Sequence, residues 1–224
     1  MSLERIEAAY QRRGTADPRY HPLRPEQMHA LQERERVLAA LLRRHRRTDT
    51  AALRAAELGC GAGGNLLMLL QLGFRPDHLC GAELMPERLA LARERLPPGV
   101  QLHGGDACVA PIAPASQDLV LAFTVFSSVP GDDLQQRLAD TAWRWLRPGG
   151  ALIGYDFAFD NPANPEVRGV PLTRWRALFP GARFEMRRLT LAPPLARRVP
   201  AWLIPWLAAL APLRTHRMVF FSKL

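Results

Sequence analysis

The stretch Glu57-Leu58-Gly59-Cys60-Gly61-Ala62-Gly63-Gly64-Asn65 decides the fold of this chain. It follows a short, mostly apolar run at residues 51–56 and precedes the apolar residues 66–70, which we interpret as a buried helix. A strand, a glycine turn and a helix in this order surround a nucleotide-like ligand with backbone N–H groups and a helix N-terminus. Glycine permits the sharp bend and a close approach of the ligand to the main chain. The stretch therefore predicts a site for a nucleotide-like cofactor.

Length and composition indicate one domain with additions. The chain has 224 residues, of which 48% are hydrophobic, enough for a full core. Its three cysteines, Cys60, Cys80 and Cys108, lie far apart and match no zinc-site spacing, so we expect no metal. A reducing cytosol is the simplest setting for them. The polar N-terminus does not read as a secretory signal, and no apolar run reaches the ~18 residues of a membrane span. We expect a cytoplasmic protein.

The positive charge lies at the two ends of the chain. The formal net charge is +9, with +4 in residues 1–50, −2 in residues 51–182 and +7 in residues 183–224. A basic surface attracts nucleic acid, anionic lipid or an anionic substrate. However, 29 of the 30 basic residues are Arg, so genomic base composition explains the bias equally well.

From residue 52 onwards, strand-like and helix-like segments alternate. This alternation predicts a parallel sheet with helices on both faces. No helix of crossover quality separates the last two strands, which fits an antiparallel final hairpin. The predicted strands span residues 53–58, 78–83, 100–103, 118–123, 151–156, 183–191 and 218–222. The predicted helices span residues 1–16, 25–47, 64–72, 86–96, 132–146 and 172–179.

Three acidic residues decide between possible cofactors. The glycines also satisfy the G-x-G-x-x-G pattern, so a nicotinamide or flavin dinucleotide is an alternative. Glu57, two residues before the first glycine, would repel a pyrophosphate but suits an ammonium group. Glu83 ends the second strand at a spacing that suits ribose hydroxyls in either class of cofactor. Asp106 follows the third strand, where a carboxylate can accept a hydrogen bond from an adenine amino group.

Four motifs together resemble the class I S-adenosylmethionine-dependent methyltransferases. These are residues 57–63, Gly81-Ala82-Glu83, Gly105-Asp106-Ala107 and Leu146-Arg147-Pro148-Gly149-Gly150. The resemblance implies a Rossmann-like α/β fold with strand order 3-2-1-4-5-7-6, strand 7 antiparallel, and S-adenosyl-L-methionine as cofactor. The cofactor-binding residues that it implies are Glu57, Gly59, Cys60, Gly61, Gly63, Asn65, Glu83, Leu84, Asp106, Ala107, Phe123 and Thr124. Alternatively, Cys60 is only a small turn residue, Asn65 caps its helix and Phe123 fills the core.

Candidate catalytic residues lie at the end of the fifth predicted strand and in the segment before the long helix. Asp156 is the first candidate for a general base, because it ends a strand at the ligand edge of the sheet. Tyr155 would contact the acceptor. Tyr20 and His21 would reach the pocket from an N-terminal lid at residues 1–50 that covers the domain at residues 51–224. The alternatives are a loop cap for Asp156 and a surface loop for Tyr20 and His21.

Two further side chains receive structural interpretations. His103 lies in the third strand, so we interpret it as structural rather than as a base. Arg34 could meet a carboxylate, but its charged neighbours on the long helix favour a solvated helix face.

The 192–215 insert between the last two strands is long and apolar for a hairpin loop. Its Trp-rich centre between arginines fits a helix in a membrane interface, and so suggests a lipid-linked acceptor and association with a membrane. A buried cap or a homodimer contact is the alternative. Residues 155–157, 160–169 and 191–197 are also similar to small bacterial methyltransferases of polysaccharide and natural-product clusters.

These observations predict an enzyme that methylates a small-molecule, sugar or lipid-linked acceptor, most simply at a hydroxyl oxygen. The alternatives are N- or C-methylation of a secondary metabolite, RNA methylation, and a cofactor-binding module without catalysis. Residues 123–130 lack the Asn/Asp-Pro-Pro-aromatic motif of amino-methyltransferases of DNA bases, so we expect no DNA substrate. RNA is disfavoured because no recognised RNA-binding module accompanies the basic C-terminal region.

Overall fold

The computed structural model describes Pro18 and residues 21–129, 131–160 and 167–224. The predicted helix at residues 1–16 and the candidate Tyr20 lie outside these residues. The described chain forms one seven-stranded sheet in the order β3-β2-β1-β4-β5-β7-β6, which confirms the predicted topology. The strands are β1 Ala55–Leu58, β2 Leu79–Glu83, β3 Gln101–Gly104, β4 Gln117–Phe123, β5 Leu146–Phe157, β6 Arg183–Leu191 and β7 Arg214–Ser222.

Helices cover both faces of the sheet. The helices are α1 Pro25–Arg44, α2 Gly64–Gln71, α3 Pro86–Arg95, α4 Asp132–Trp145, α5 Leu172–Leu178, α6 Pro193–Ala196 and α7 Ile204–Ala209. One core layer packs α1, α2 and α3 on the sheet, and the other packs α4 and α5. Among the described residues, no helix is both long and apolar enough to cross a membrane.

The register of the parallel strands brings their carboxyl ends to one line. Leu58 at the end of β1 lies opposite Ala82 of β2 on one side and Ala122 of β4 on the other. The chain order reverses between β1 and β4, and a crevice opens at such a reversal beyond the strand ends. The residues that follow these three strands therefore meet at one place.

Two strands begin earlier than the sequence predicted. β5 starts at Leu146 rather than at residue 151, because Leu146 still pairs with Gln117 across an irregularity in the ladder. β7 starts at Arg214 rather than at residue 218, because its ladder with β6 continues to Leu191. It pairs antiparallel with both β5 and β6, as expected from the resemblance.

Helix α1 is fixed to the sheet by a buried carboxylate. Glu33 accepts a hydrogen bond from the backbone N–H of Thr190 at 2.7 Å. Thr190 has φ 65° and interrupts the pairing between β6 and β7, so its N–H is free to point at the helix. The described part of the expected N-terminal lid therefore packs on β6 and on α7 of the insert.

Candidate functional site

A cleft lies beyond the carboxyl ends of β1, β2 and β4. Apolar side chains of α4, with Val125 and Val129, form one of its walls. Seven of the twelve residues expected to bind the cofactor line this cleft. They are Gly59, Glu83, Leu84, Asp106, Ala107, Phe123 and Thr124.

The glycine turn closes around the carboxylate of Glu83. The N–H of Gly61 donates to Glu83 Oε2 at 2.7 Å, and the N–H of Met85 donates to Glu83 Oε1 at 2.9 Å. Each carboxylate oxygen retains a second lone pair, so the bound Glu83 can still accept from ligand hydroxyls. The expected ribose-binding residue thus also holds the turn in shape.

Left-handed backbone explains two of the glycines in this turn. Gly61 has φ 55°, and a Cβ built there meets no protein atom within 4 Å. Gly63 has φ 79°, and its Cβ would lie 2.8 Å from Leu96 Cδ1, so it serves the packing of α2 against α3. Gly61 therefore faces open space, whereas Gly63 is a structural residue that does not line the cleft.

Glu57 is a fully buried acid with one oxygen left open. Asn65 Nδ2 donates to Glu57 Oε1. Glu57 Oε2 has no hydrogen-bond partner within the described part of the chain. Burial raises the pKa of Glu57 to about 8, opposed by the Asn65 hydrogen bond and by the charge of Arg34. An unpaired buried carboxylate is costly and gains most from a cation placed beside it.

The alternative role of Asn65 as a helix cap is excluded by this geometry. Gly63 occupies the N-cap position of α2, and no side chain caps that helix. Asn65 instead fixes the orientation of the Glu57 carboxylate.

Arg34 lies against Phe123 of the cleft, whereas its charged sequence neighbours favoured a solvated helix face. Its guanidinium lies over the rings of Phe123 at 5.4 Å and Tyr155 at 5.5 Å. Its Nε is buried without a hydrogen-bond partner among the described residues. The signal that could have found it is helical spacing, because Arg34 shares a face of α1 with the buried Leu38 and Leu41.

Asp106 lines the cleft but is already engaged. Its Oδ1 accepts from the N–H of Cys108 at 2.9 Å, and its Oδ2 pairs with Arg137 at 3.1 Å. These contacts fix its carboxylate at the apolar end of the cleft, beside Ala107. The spare lone pairs remain available to an amino group, as the resemblance implies.

Thr124 holds a strained conformation at the end of β4. Its φ is 56°, which is unusual for a β-branched residue. Its N–H donates to the carbonyl of Tyr155 at 2.6 Å, and its hydroxyl donates to the carbonyl of Phe123 at 2.7 Å. Strained residues of this kind cluster at ligand sites, and Thr124 lines the cleft between β4 and β5.

Asp156 lies beneath the loop after β4 rather than in the cleft. It is 0% exposed, and its carboxylate accepts from the N–H groups of Ser127 at 3.2 Å and Phe157 at 3.3 Å. Burial raises its pKa to about 7 against the lowering effect of the Ser127 hydrogen bonds. This placement corrects the expectation that Asp156 reaches the acceptor, because strand alternation turns it to the face opposite Tyr155.

Tyr155 is also buried away from the cleft. Its hydroxyl hydrogen bonds to Thr190 Oγ1 at 2.8 Å, and its ring stacks on that of His216. Burial raises the pKa of Tyr155 to about 12, so it stays neutral. In this arrangement it supports Arg34 rather than contacting the cleft, which differs from the role expected from the sequence.

Three remaining candidates do not line the cleft. His21 is exposed, and its Nδ1 accepts from the N–H of Leu23 at 3.3 Å. Cys60 is buried against Gly81, and burial raises its pKa far above the ordinary thiol value, so it is a turn residue. His103 is partly buried in β3, consistent with the structural role expected for it, and burial lowers its pKa.

Residues 55–150 match the family of methyltransferase domains. This range holds β1 to the start of β5, and therefore contains all the residues that line the cleft. The match confirms the resemblance of this region to the methyltransferases that use S-adenosyl-L-methionine.

Curated relatives and a solved structure agree with this family. A tRNA N(3)-methylcytidine methyltransferase of Drosophila melanogaster is 30% identical over 109 residues, covering 45% of this chain and 33% of that protein. An arsenite methyltransferase of Halobacterium salinarum is 29% identical over 119 residues, covering 51% and 30%. The chain thus spans about a third of the length of these relatives. An S-adenosylmethionine-dependent methyltransferase of Mesorhizobium loti shares the fold, with a TM-score of 0.60, 18% identity and coverage of 84% and 96%.

Proposed function

We propose that this chain, which belongs to the methyltransferase domain family over residues 55–150, transfers a methyl group from S-adenosyl-L-methionine to a small-molecule, sugar or lipid-linked acceptor. The observation that carries the proposal is the open oxygen of the buried Glu57 beside the glycine turn. A dinucleotide pyrophosphate would be repelled there, whereas the ammonium group of S-adenosylmethionine complements it.

The residues that line the cleft, together with the buried Glu57 and with Arg34, which lie outside its lining, suit each part of this cofactor. Glu57 would hold the ammonium group, and the half-buried Arg34 would hold the carboxylate of the same amino-acid end. The two side chains are close enough for the charge of Arg34 to lower the pKa of Glu57. Glu83 would accept from the ribose hydroxyls, and Asp106 would accept from the adenine amino group.

The reaction needs few groups from the protein. The acceptor atom would attack the methyl carbon of the bound cofactor in line. The carbon–sulfur bond would break with S-adenosylhomocysteine as the leaving group, and the proton of a hydroxyl acceptor would pass to water. Positioning of the acceptor then provides most of the rate enhancement. The strained Thr124 and its hydrogen bond to Tyr155 fix the end of β4, where we place the acceptor. Asp156 ties the loop at residues 126–128 to β5, so we assign it a positioning role.

We propose a hydroxyl oxygen as the acceptor atom, on the similarity of residues 155–157, 160–169 and 191–197 to methyltransferases of polysaccharide and natural-product clusters. N- or C-methylation of a secondary metabolite is the second candidate. RNA methylation is a third, and two observations favour it: the +7 charge of residues 183–224 and the tRNA-modifying relative. The named relatives act on tRNA and on arsenite, so their acceptors differ in kind.

The proposal is tested by incubating the protein with methyl-labelled cofactor and separated pools of small molecules, lipids and RNA from source cells. We expect label in the small-molecule or lipid pool, and an alkali-stable product as for a methyl ether. Label in RNA alone would replace the proposed acceptor. Cofactor binding without label in any pool would indicate a binding module without catalysis.

A further inference from the structure

The 192–215 insert presents an apolar surface that the proposed methyl transfer does not use. The described chain forms α6, a turn at Ala201–Leu203, α7 and a turn at Ala211–Leu213 there. Residues 200–213 include no side chain that can form an ion pair, and only the indole N–H groups of its two tryptophans can donate a hydrogen bond. A connecting segment of this composition is unusual on a protein surface.

The two sides of this insert differ sharply in exposure. Trp202 is 70% exposed, Trp206 is 72% exposed and Leu210 is 53% exposed, and they recur every four residues along one side. Ile204 and Ala208 on the other side are only 2% and 3% exposed, and pack with Leu191 and Ala196 in a small core of their own. The inner side therefore fixes the insert on the domain, while its outer side turns large apolar groups to solvent. We call Trp202, Trp206 and Leu210 the tryptophan surface.

The chain segment around the tryptophan surface is basic, although Glu33 of α1 pairs with Arg214 at 3.5 Å. No Asp or Glu follows Glu185, whereas residues 186–224 contain six arginines and one lysine. Arg197 and Arg198 precede the apolar run directly, and Arg198 is exposed. Part of this charge serves the fold, since Arg214 contacts the carbonyls of Ala208 and Arg188. The remainder complements an anionic partner.

These features favour a bilayer over a second copy of the chain. A symmetric dimer through the tryptophan surface would bring two copies of the same predominantly basic region together. Protein interfaces also carry a polar rim with hydrogen bonds, which residues 200–213 do not offer. Tryptophan side chains with arginines beside them are typical of helices that lie in the headgroup region of a membrane.

We propose that the tryptophan surface docks this protein onto the headgroup region of an anionic lipid bilayer, with the exposed Arg198 at the phosphates. The docking does not depend on the catalytic activity. A second step rests on the proposed function: the docked protein takes a lipid-linked acceptor, which reaches the cleft from the membrane surface.

Co-sedimentation with vesicles tests the docking. The protein is mixed with vesicles of phosphatidylcholine alone, or with vesicles of phosphatidylcholine that contain 30% phosphatidylglycerol, and the vesicles are then pelleted. The double variant Trp202→Ser/Trp206→Ser removes the two exposed indole side chains. The control variant Leu224→Ser removes an apolar side chain that is 78% exposed and lies outside the tryptophan surface. We expect the wild type and Leu224→Ser to pellet with the anionic vesicles. The double variant should bind these vesicles at least roughly tenfold more weakly.

Two further measurements separate the outcomes. Cofactor binding by the double variant shows that it is folded, and light scattering gives the mass of the wild type without lipid. The proposal is overturned if the wild type stays in the supernatant with both vesicles, or if the folded double variant pellets as well as the wild type. A wild-type dimer that the double substitution converts to a monomer, with no vesicle binding, would assign the surface to self-association. Vesicle binding with methyl transfer only to water-soluble acceptors would retain the docking and refute the lipid-linked acceptor.

Discussion

The substitution Glu57→Gln tests the cofactor site through a single charge. Glutamine keeps the shape of the side chain and an acceptor for Asn65, but it cannot ionise. A charge pair at about 4 Å contributes about 4 kcal/mol at an effective dielectric constant of 20. Ionising Glu57 at pH 7 costs about 1.4 kcal/mol of this, since its pKa is about 8. The remainder of about 2.6 kcal/mol predicts that Glu57→Gln weakens cofactor binding roughly 80-fold.

The same ionisation makes binding release a proton. At pH 6.5 Glu57 is mostly protonated in the free protein, because its pKa is about 8. Placing an ammonium group beside it drives the proton off. Titration calorimetry in buffers of different ionisation enthalpy should therefore show release of about one proton by the wild type and about none by Glu57→Gln. Equal proton release by the two proteins, or binding of equal strength, would refute the role of Glu57.

Stability without cofactor should respond to pH in a direction set by the same group. The folded pKa of Glu57, about 8, lies above its ordinary value of 4.5, so the unfolded chain loses its proton first. Stability from this group is complete below pH 4.5 and falls as the pH rises to 8, by up to about 5 kcal/mol. Denaturant unfolding should show a smaller decline between pH 5 and 8 for Glu57→Gln than for the wild type. Parallel pH curves would contradict this assignment.

Three further substitutions test other parts of the site. Gly61→Val and Gly181→Val both place a side chain at positive φ with no protein atom within 4 Å. Each should therefore cost about 1–2 kcal/mol of stability. Only Gly61→Val should abolish cofactor binding measured by calorimetry. Loss of binding in both would mean that strain alone is responsible. Arg34→Met should weaken cofactor binding about tenfold, whereas Arg36→Met on the exposed face of α1 should not. Equal cofactor affinities of the two variants would show that Arg34 serves only packing. Asp156→Asn should lower stability by about 1–3 kcal/mol and slow methyl transfer without changing the shape of the pH–rate profile. If the rate of the wild type falls below pH 7 and that of Asp156→Asn does not, Asp156 acts as a base.

The sheet and the glycine turn could be predicted from sequence because their signals are local. The alternating segments placed the carboxyl ends of all seven strands to within one residue of where the structure has them. The earlier starts of β5 and β7 depend on pairing with Gln117 and with β6, which no local pattern records. Long-range pairing, rather than propensity, extends those strands.

The side chains around the turn could be predicted only in part. Glu83 and Asp106 follow strands whose ends meet, so topology alone brought them to the cleft. Asp156 also ends a strand, but its position in the two-residue alternation turned it under the loop at residues 126–128. Arg34 lies far away in sequence. Helix α1 brings it to Phe123 by packing Leu38, Leu41 and Leu42 on the sheet and by the hydrogen bond of Glu33 with Thr190. Such a contact cannot be read from residue types along one helix.

Titration of the wild-type protein with S-adenosylmethionine and, separately, with NADH tests the central claim most directly. The account predicts saturable binding of one S-adenosylmethionine per chain and no binding of NADH, because Glu57 favours an ammonium group and repels a pyrophosphate. Binding of NADH in place of S-adenosylmethionine would contradict the assignment of the glycine turn and the methyl transfer that rests on it.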